Sequence, residues 1–140
     1  MNIRKVLESK DVGILMLRFA VGGLMLFHGV AKMIHGHGAI IVMLSQRGLP
    51  SFLWLLVPLT EIVAPLFLIL GLFTRISSLG IVLLMICTIF LAFGLGAFAI
   101  GEHGGLVAEL NLLFLSSALA LIFTGGGRYS IYPSRHVLLS

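Results

Sequence analysis

The sequence has few charged residues. Of its 140 residues, 10% are charged, whereas 59% are hydrophobic. A soluble domain has roughly a quarter of its residues charged, so this chain has too little polar material to cover a globule of its size. The composition therefore predicts an integral membrane protein, with the lipid bilayer as the solvent for most of its surface.

Cysteine is nearly absent as well. The single cysteine, Cys87, excludes an intramolecular disulfide, a CxxC redox motif and a cysteine-ligated iron–sulfur cluster, and its place in an apolar run predicts a small core residue. The chain also lacks a flavin or nicotinamide fingerprint. Its net charge of +4 does not indicate nucleic-acid binding, because most basic residues stand singly at the ends of apolar runs.

Four apolar runs are long enough to cross a hydrocarbon core of about 30 Å as helices, which takes roughly 17–25 residues. Turn residues, chiefly glycine, separate the runs. The sequence predicts an all-α fold in a single domain, an integral membrane four-helix bundle with spans at about 12–34, 52–70, 76–100 and 106–123. A shorter apolar stretch, 39–44, is expected to lie at the interface or to re-enter the membrane.

Basic residues fall unevenly on the two sides of such a bundle. The side with Arg47, and Lys32 near its boundary, has fewer than the side with both termini and the second loop, which holds Arg4, Lys5, Lys10, Arg75, Arg128 and Arg135. The positive-inside rule therefore predicts cytoplasmic termini. An aromatic belt at each interface is expected, from Trp54 on the outer side and from Tyr129 and Tyr132 on the inner side.

Five ionisable residues fall within the predicted spans. A rise of about 1.5 Å per residue puts four of them in the outer half of the bundle and Arg18 alone toward the cytoplasm. Because intramembrane ionisable residues face a bundle interior and pair with one another, they are predicted to form one polar column, made of Arg18, His28, Lys32, Glu61 and Glu109.

Each of these residues also has a purely structural interpretation. Arg18 and Lys32 could snorkel to the interfaces, and Glu61 could form a structural salt bridge with either of them. His28 could make an interhelical hydrogen bond. Pro65 has no N–H for the carbonyl of Glu61, which most simply predicts a kink.

Three histidines and one carboxylate are expected at the outer mouth of the bundle, and they are weak candidates for metal ligands. They are His35, His37, Glu102 and His103. Because they belong to glycine-rich loops without fixed geometry, solvated side chains are the favoured interpretation, and no metal is predicted. Haem is not expected either, since His28 is the one histidine within a span.

The chain resembles the DoxX family of small bacterial membrane proteins. The resemblance covers about residues 15–130 and rests on motifs in a fixed order: Leu17-Arg18, Phe27-His28-Gly29 with Lys32, Gly48-Leu49-Pro50, Glu61, Leu70-Gly71-Leu72-Phe73-Thr74-Arg75, Glu109 and Gly126-Gly127-Arg128-Tyr129-Ser130. It implies a four-helix bundle in the cytoplasmic (inner) membrane and a link to respiratory or thiol redox chemistry. It implies no established catalytic set.

Three functions stay open at this point. The first is a membrane subunit of a redox system that binds quinone, with His28 and Lys32 donating to the carbonyl oxygens, Glu61 passing protons and a partner protein supplying electrons. The second is transport or sequestration of a small solute, proton or metal ion, which would need a homo-oligomer. The third is a non-catalytic assembly partner in which Arg18 and Glu61 lock helices together.

Overall fold

A computed structural model describes residues 9–131. The predictions made on Arg4, Lys5, Tyr132 and Arg135 lie outside these described residues. Within them the protein consists of helices without any strand, which confirms the all-α prediction. The helices are α1 (Lys10–His35), α2 (Gly38–Gln46), α3 (Ser51–Leu70), α4 (Thr74–Phe98) and α5 (Glu109–Thr124).

The long helices α3 and α4 are not regular α-helices throughout. Helix α3 starts with a 3-10 turn, Ser51–Leu55, and contains a π turn, Leu59–Val63, before it continues as α-helix over Ala64–Leu70. Pro65 explains this change, because it cannot donate an N–H to the carbonyl of Glu61. Helix α4 changes in the same way, to a π turn at Ile89–Phe93.

The four longer helices pack as a closed ring. Helix α1 packs on α3, α3 on α4, α4 on α5, and α5 again on α1. Buried apolar side chains fill the centre, among them Met25, Leu68, Ile81 and Leu121. The short α2 lies across the 3-10 turn of α3 and the π turn of α4. We call the end of the bundle where α1 begins the proximal end, and the end where α1 finishes the distal end.

The outer surface of the bundle is apolar. Large hydrophobic side chains point away from the core, such as Phe27, which is 77% exposed, and Phe90, which is 67% exposed. Helices α1, α3 and α4 are long and apolar enough to cross a membrane, whereas α5 is apolar but shorter, with 16 residues. A surface of this kind is stable against lipid rather than water, so the apolar helices contact the bilayer.

The connection between α4 and α5 differs from the prediction. The backbone of residues 97–108 folds back on itself: Ile100 and Leu106 form an antiparallel bridge, and Ala108 N–H donates to the carbonyl of Ala97 at 3.1 Å. Because residues 106–108 bond to this turn, α5 begins at Glu109, three residues later than expected.

Candidate functional site

Two glycines of α1 bring it into direct contact with the backbone of α3. A Cβ atom on Gly29 would lie 2.5 Å from the carbonyl oxygen of Glu61, and one on Gly22 would lie 2.9 Å from that of Pro65. Both distances are shorter than real Cβ contacts allow, so only glycine fits. Seven residues separate the two glycines, which is about two helical turns, and they therefore share one face of α1.

This close approach pairs Lys32 with Glu61. Lys32 lies three residues after Gly29 on the same face of α1, and its Nζ donates to Oε1 of Glu61. The lysine side chain is 39% exposed, whereas the glutamate side chain is 4% exposed. The other oxygen, Oε2 of Glu61, is buried without a hydrogen-bond partner among the described residues. The carboxylate therefore keeps an unused acceptor inside the bundle.

Oε2 belongs to a side chain that lines a small cavity with a volume of about 150 Å³. Half of its lining residues are polar, and we call it the polar cavity. They come from α1, α3, α4 and α5, and they are His28, Lys32, Glu61, Thr88 and Asn111. The ring of His28 meets that of Phe114 edge-on, with centroids 6.0 Å apart and planes at 87°.

A larger cavity, with a volume of about 670 Å³, lies between α2, α3 and α4. We call it the apolar cavity, because leucines and other aliphatic residues make up most of its wall. The hydroxyl of Thr60 donates to Leu56 O at 2.7 Å, and that of Thr88 donates to Leu84 O at 2.9 Å, so both hydroxyl protons are engaged. Lys32 and Thr88 line both cavities.

The two π turns flank these cavities. The turn in α3 carries Glu61, and the turn in α4 carries Phe93, which lines the polar cavity, and Leu91, which lines the apolar one. A π turn holds one residue more per turn than an α-helix and is common at functional sites. Here each π turn supplies one lining residue of the polar cavity, Glu61 from α3 and Phe93 from α4.

Arg18 lies at the proximal end and does not line the polar cavity. Fourteen residues of α1, about 21 Å, separate it from Lys32. Its guanidinium is buried, and it donates to the carbonyl oxygens of Leu68 at 2.8 Å, Ile69 at 2.7 Å, Gly126 at 2.8 Å and Tyr129 at 3.2 Å. These acceptors lie at the C-terminal end of α3 and just beyond that of α5, where helices leave carbonyls unpaired.

The suggested pairing of Arg18 with Glu61 is therefore wrong for this structure. Glu61 bonds to Lys32, and no carboxylate among residues 9–131 pairs with Arg18. Of the two partners suggested for a structural salt bridge of Glu61, Lys32 is the actual one. Arg18 does not snorkel to water at the interface either, because it is 1% exposed and its guanidinium bonds backbone carbonyls.

Glu109 does not line either cavity. It is exposed at the first position of α5, and its carboxylate lies over Gly105 of the preceding turn. The hairpin-like turn before α5 explains this position, because it starts the helix at Glu109 and leaves the side chain beside the loop. The neighbouring Leu110 and Asn111 reach the polar cavity instead.

The loop histidines do not converge. Nδ1 of His35 lies 2.7 Å from Ala31 O, one turn earlier in its own helix, and the ring of His37 packs on Trp54 with centroids 4.7 Å apart. His103 and Glu102 are exposed in the turn before α5. Among residues 9–131, no group of three or more His, Cys, Asp or Glu side chains could hold a metal ion.

Sequence reasoning missed three residues at the site. Asn111 and Thr88 line the polar cavity, and a polar amide inside the apolar run of α5 was a usable signal for the first of them. Cys87, expected in the core, is exposed and lines the apolar cavity instead. The π turn of α4 begins two residues later, at Ile89, and nothing in the local sequence predicts that turn.

Comparison with known proteins agrees with the resemblance. No curated protein and no solved structure gives a significant match to the chain. The profile of the DoxX family matches residues 13–94, which is more than half of the chain and includes Arg18, His28, Lys32 and Glu61. Together with the apolar helices, this match identifies the chain as a membrane protein of the DoxX family.

Proposed function

We propose that this protein is a quinone-binding membrane subunit of a redox system. The observation that carries the proposal is that one cation, Lys32, lines both an apolar cavity and a polar cavity. A quinone has a similar division, with an apolar tail and a head whose two carbonyl oxygens accept hydrogen bonds. The apolar cavity suits the tail, and the polar cavity, which shares Lys32 with it, suits the head.

The size of the apolar cavity fits such a ligand. Sites for small molecules have volumes of about 300–1,000 Å³ and are lined mainly by apolar side chains with a few polar groups. The apolar cavity, at about 670 Å³, falls within this range. Its wall of Leu49, Leu53, Leu83 and Ile40, among others, suits an isoprenoid tail.

The polar residues have distinct parts in this proposal. The ammonium of Lys32 has three N–H donors, of which one bonds Glu61, so the others are free to donate to a carbonyl oxygen. The buried carboxylate of Glu61 fixes the position of this ammonium by pairing with it. A bound quinone would supply reversible two-electron, two-proton chemistry, with electrons from a partner oxidoreductase. His28 and Glu61 are the groups able to exchange protons nearby.

The topology is part of the proposal. Four membrane crossings with both termini in the cytoplasm would put the distal end, and hence Lys32 and Glu61, in the outer half of a bacterial inner membrane. The distribution of basic residues supports this orientation. A cysteine introduced at Glu102 in a Cys87→Ala background, tested with a membrane-impermeant maleimide on whole cells and on inverted vesicles, checks it. Labelling from the cytoplasmic side alone would contradict it.

The binding test uses two natural reporters near the apolar cavity. The chain has one tryptophan, Trp54, beside the lining residue Leu53, and one cysteine, Cys87, in the cavity wall. In phosphatidylcholine vesicles, a short-chain ubiquinone or menaquinone should quench Trp54 fluorescence saturably. The same ligand should slow the alkylation of Cys87 by N-ethylmaleimide.

A matched pair of variants distinguishes binding from partitioning into lipid. Gly80 lines the apolar cavity, and its nearest obstacle to a Cβ is Thr60 Cγ2 at 3.5 Å, so Gly80→Leu places its branched end in the cavity. Gly13→Leu adds the same side chain where nothing lies within 4 Å. Saturable quenching that is lost in Gly80→Leu alone supports the proposal. Equal, non-saturable quenching in both variants refutes it. A proton flux in vesicles that is abolished by Glu61→Gln would instead favour the alternative function, transport.

A further inference from the structure

The polar cavity contains a buried acceptor without a protein donor. Oε2 of Glu61 has no hydrogen-bond partner among the described residues, although Oε1 of the same carboxylate bonds Lys32. Leaving a buried charged acceptor without a hydrogen bond is more costly than leaving a neutral one unsatisfied. In a membrane protein the surrounding lipid cannot supply the missing donor.

The other polar groups around the cavity also have unused hydrogen-bonding capacity. Asn111 uses one N–H, in a weak 3.6 Å contact with Sδ of Met85, and its carbonyl oxygen has no partner among residues 9–131. His28 makes a ring contact with Phe114 and no hydrogen bond with a described residue. Three side chains from three helices, α1, α3 and α5, therefore present free donors or acceptors to one space.

We infer that the polar cavity is a water-binding chamber, in which water molecules donate to Oε2 of Glu61 and link it to His28 and Asn111. A buried water needs about 10–15 Å³ of cavity volume and two to four polar partners, and a volume of about 150 Å³ holds several. Water fits the mixed set of groups, since it both donates and accepts. A small anion would meet the Glu61 carboxylate, and the chamber has too few oxygen ligands for a bare cation.

The chamber connects the buried carboxylate with the surface of the bundle. His28 lines the cavity and is exposed on α1, so waters between it and Glu61 link the buried carboxylate with a second group that can exchange a proton. The charged or titratable groups that line the chamber are Lys32 and His28 from α1 and Glu61 from α3, whereas α4 and α5 contribute neutral groups only. This inference concerns the protein before quinone binds, and it does not depend on quinone binding.

Hydroxyl-radical footprinting tests for this water directly. Radiolysis of water oxidises methionines that touch it, and mass spectrometry with heavy-oxygen water identifies the source of the added oxygen. Met25 and Met85 line the chamber although they are 1% and 4% exposed, whereas Met16 is 68% exposed on the apolar surface of α1. In lipid nanodiscs without added quinone, Met25 and Met85 should be oxidised several-fold faster than Met16, the reverse of their order of exposure.

Two variants make the result specific. Asn111→Leu replaces a polar lining residue by an apolar one of similar size and should lower the oxidation of Met25 several-fold. Ser116→Leu, on an exposed position of the same helix, should leave it unchanged. His28→Leu serves as a second lining variant if Asn111→Leu fails to fold. Oxidation of Met25 no faster than that of Met16 in the wild-type protein, or unchanged in both lining variants, would overturn the inference. Met25 oxidation that persists in a protein that fails to bind quinone would refute the proposed function alone.

Discussion

The ion pair between Lys32 and Glu61 is unequally buried, with 39% of the lysine side chain exposed and 4% of the glutamate side chain. The two residues should therefore respond differently when the partner is removed. A lysine without its partner can turn toward the apolar cavity or the surface, whereas a carboxylate without its partner stays enclosed. Stability measurements on single variants should detect this difference.

Replacement of Lys32 should cost more stability than replacement of Glu61. Lys32→Met leaves an uncompensated carboxylate and should lower the free energy of unfolding by about 3 kcal/mol, the low end for a broken buried pair, because the lysine is partly exposed. Glu61→Gln keeps an acceptor for Lys32 and should cost about 1 kcal/mol. Denaturant titration in detergent micelles measures both values.

The double variant Lys32→Met with Glu61→Gln provides the control for this prediction. It removes both charges, so it should be more stable than Lys32→Met alone. A double variant as unstable as the sum of the single ones would show that the pair is not coupled.

The two glycines that contact α3 should not tolerate alanine. Gly29→Ala forces its new methyl group against the carbonyl of Glu61 and the side chain of Ile62, at 2.5 and 2.7 Å. We expect a loss of about 1–3 kcal/mol from overpacking, together with weaker pairing of Lys32 with Glu61. Thermal unfolding in detergent measures the loss.

Gly23→Ala is the matched control, since it lies on the same helix and a Cβ there meets nothing within 4 Å. It should be neutral or stabilising by up to about 1 kcal/mol, because alanine is the better helix former. Equal effects of the two substitutions would mean that close packing of α1 on α3 contributes nothing.

Arg18 should be needed for the proximal end of the bundle. Its guanidinium satisfies four carbonyl oxygens from two chain segments, so Arg18→Leu should cost about 3 kcal/mol or more. Arg18→Lys should lie between this variant and the wild type, because its three donors diverge from one atom. The midpoint of thermal unfolding orders the three proteins.

Arg47→Lys is a suitable comparison for Arg18→Lys. Arg47 is exposed, and within residues 9–131 its side chain makes one hydrogen bond, from Nη2 to Leu91 O at 3.1 Å, so its replacement should change the unfolding free energy by no more than about 0.5 kcal/mol. An Arg18→Lys protein that is as stable as Arg47→Lys would contradict the conclusion that the guanidinium of Arg18 stabilises the proximal end through its bonds to carbonyl oxygens.

The turn after α3 should depend on Gly71 for two reasons. Its φ is +70°, which only glycine adopts without strain, and a Cβ there would lie 2.5 Å from Nη2 of Arg18 and 2.7 Å from Ser130 Cα. Gly36 has a similar φ of +85° with nothing within 4 Å. Gly71→Ala should therefore lower the unfolding midpoint clearly more than Gly36→Ala does; equal shifts would indicate that the dihedral angle alone matters.

Helix positions along the chain were predictable, and with them part of the site. Lys32, His28 and Glu61 were expected at similar depths, because depth follows from counting residues along antiparallel helices. The choice of Lys32 as the partner of Glu61 was not predictable, because it depends on how α1 is rotated about its axis. That rotation is determined by the contacts of Gly22 and Gly29 with α3, which no single-chain periodicity reveals.

Irregular backbone explains the remaining differences. Arg18 bonds to carbonyls of a helix end and of a loop, and the position of such groups follows from tertiary folding rather than from residue type. Glu109 was expected within a span, but the hairpin-like turn at 97–108 starts α5 at that residue. The π turns likewise alter which side chains face the cavities, and Pro65 signals only the first of them.

The bonds of Arg18 also have a consequence for biogenesis. A ribosome completes α1 long before it reaches residues 126–129, whose carbonyls take two of the four bonds to carbonyl oxygens that the guanidinium makes. During insertion the nascent first helix thus carries a cation whose partners have yet to be synthesised. Closure of the ring must await the last helix, and until then Arg18 depends on interfacial water or on the insertion machinery for part of its hydrogen bonds.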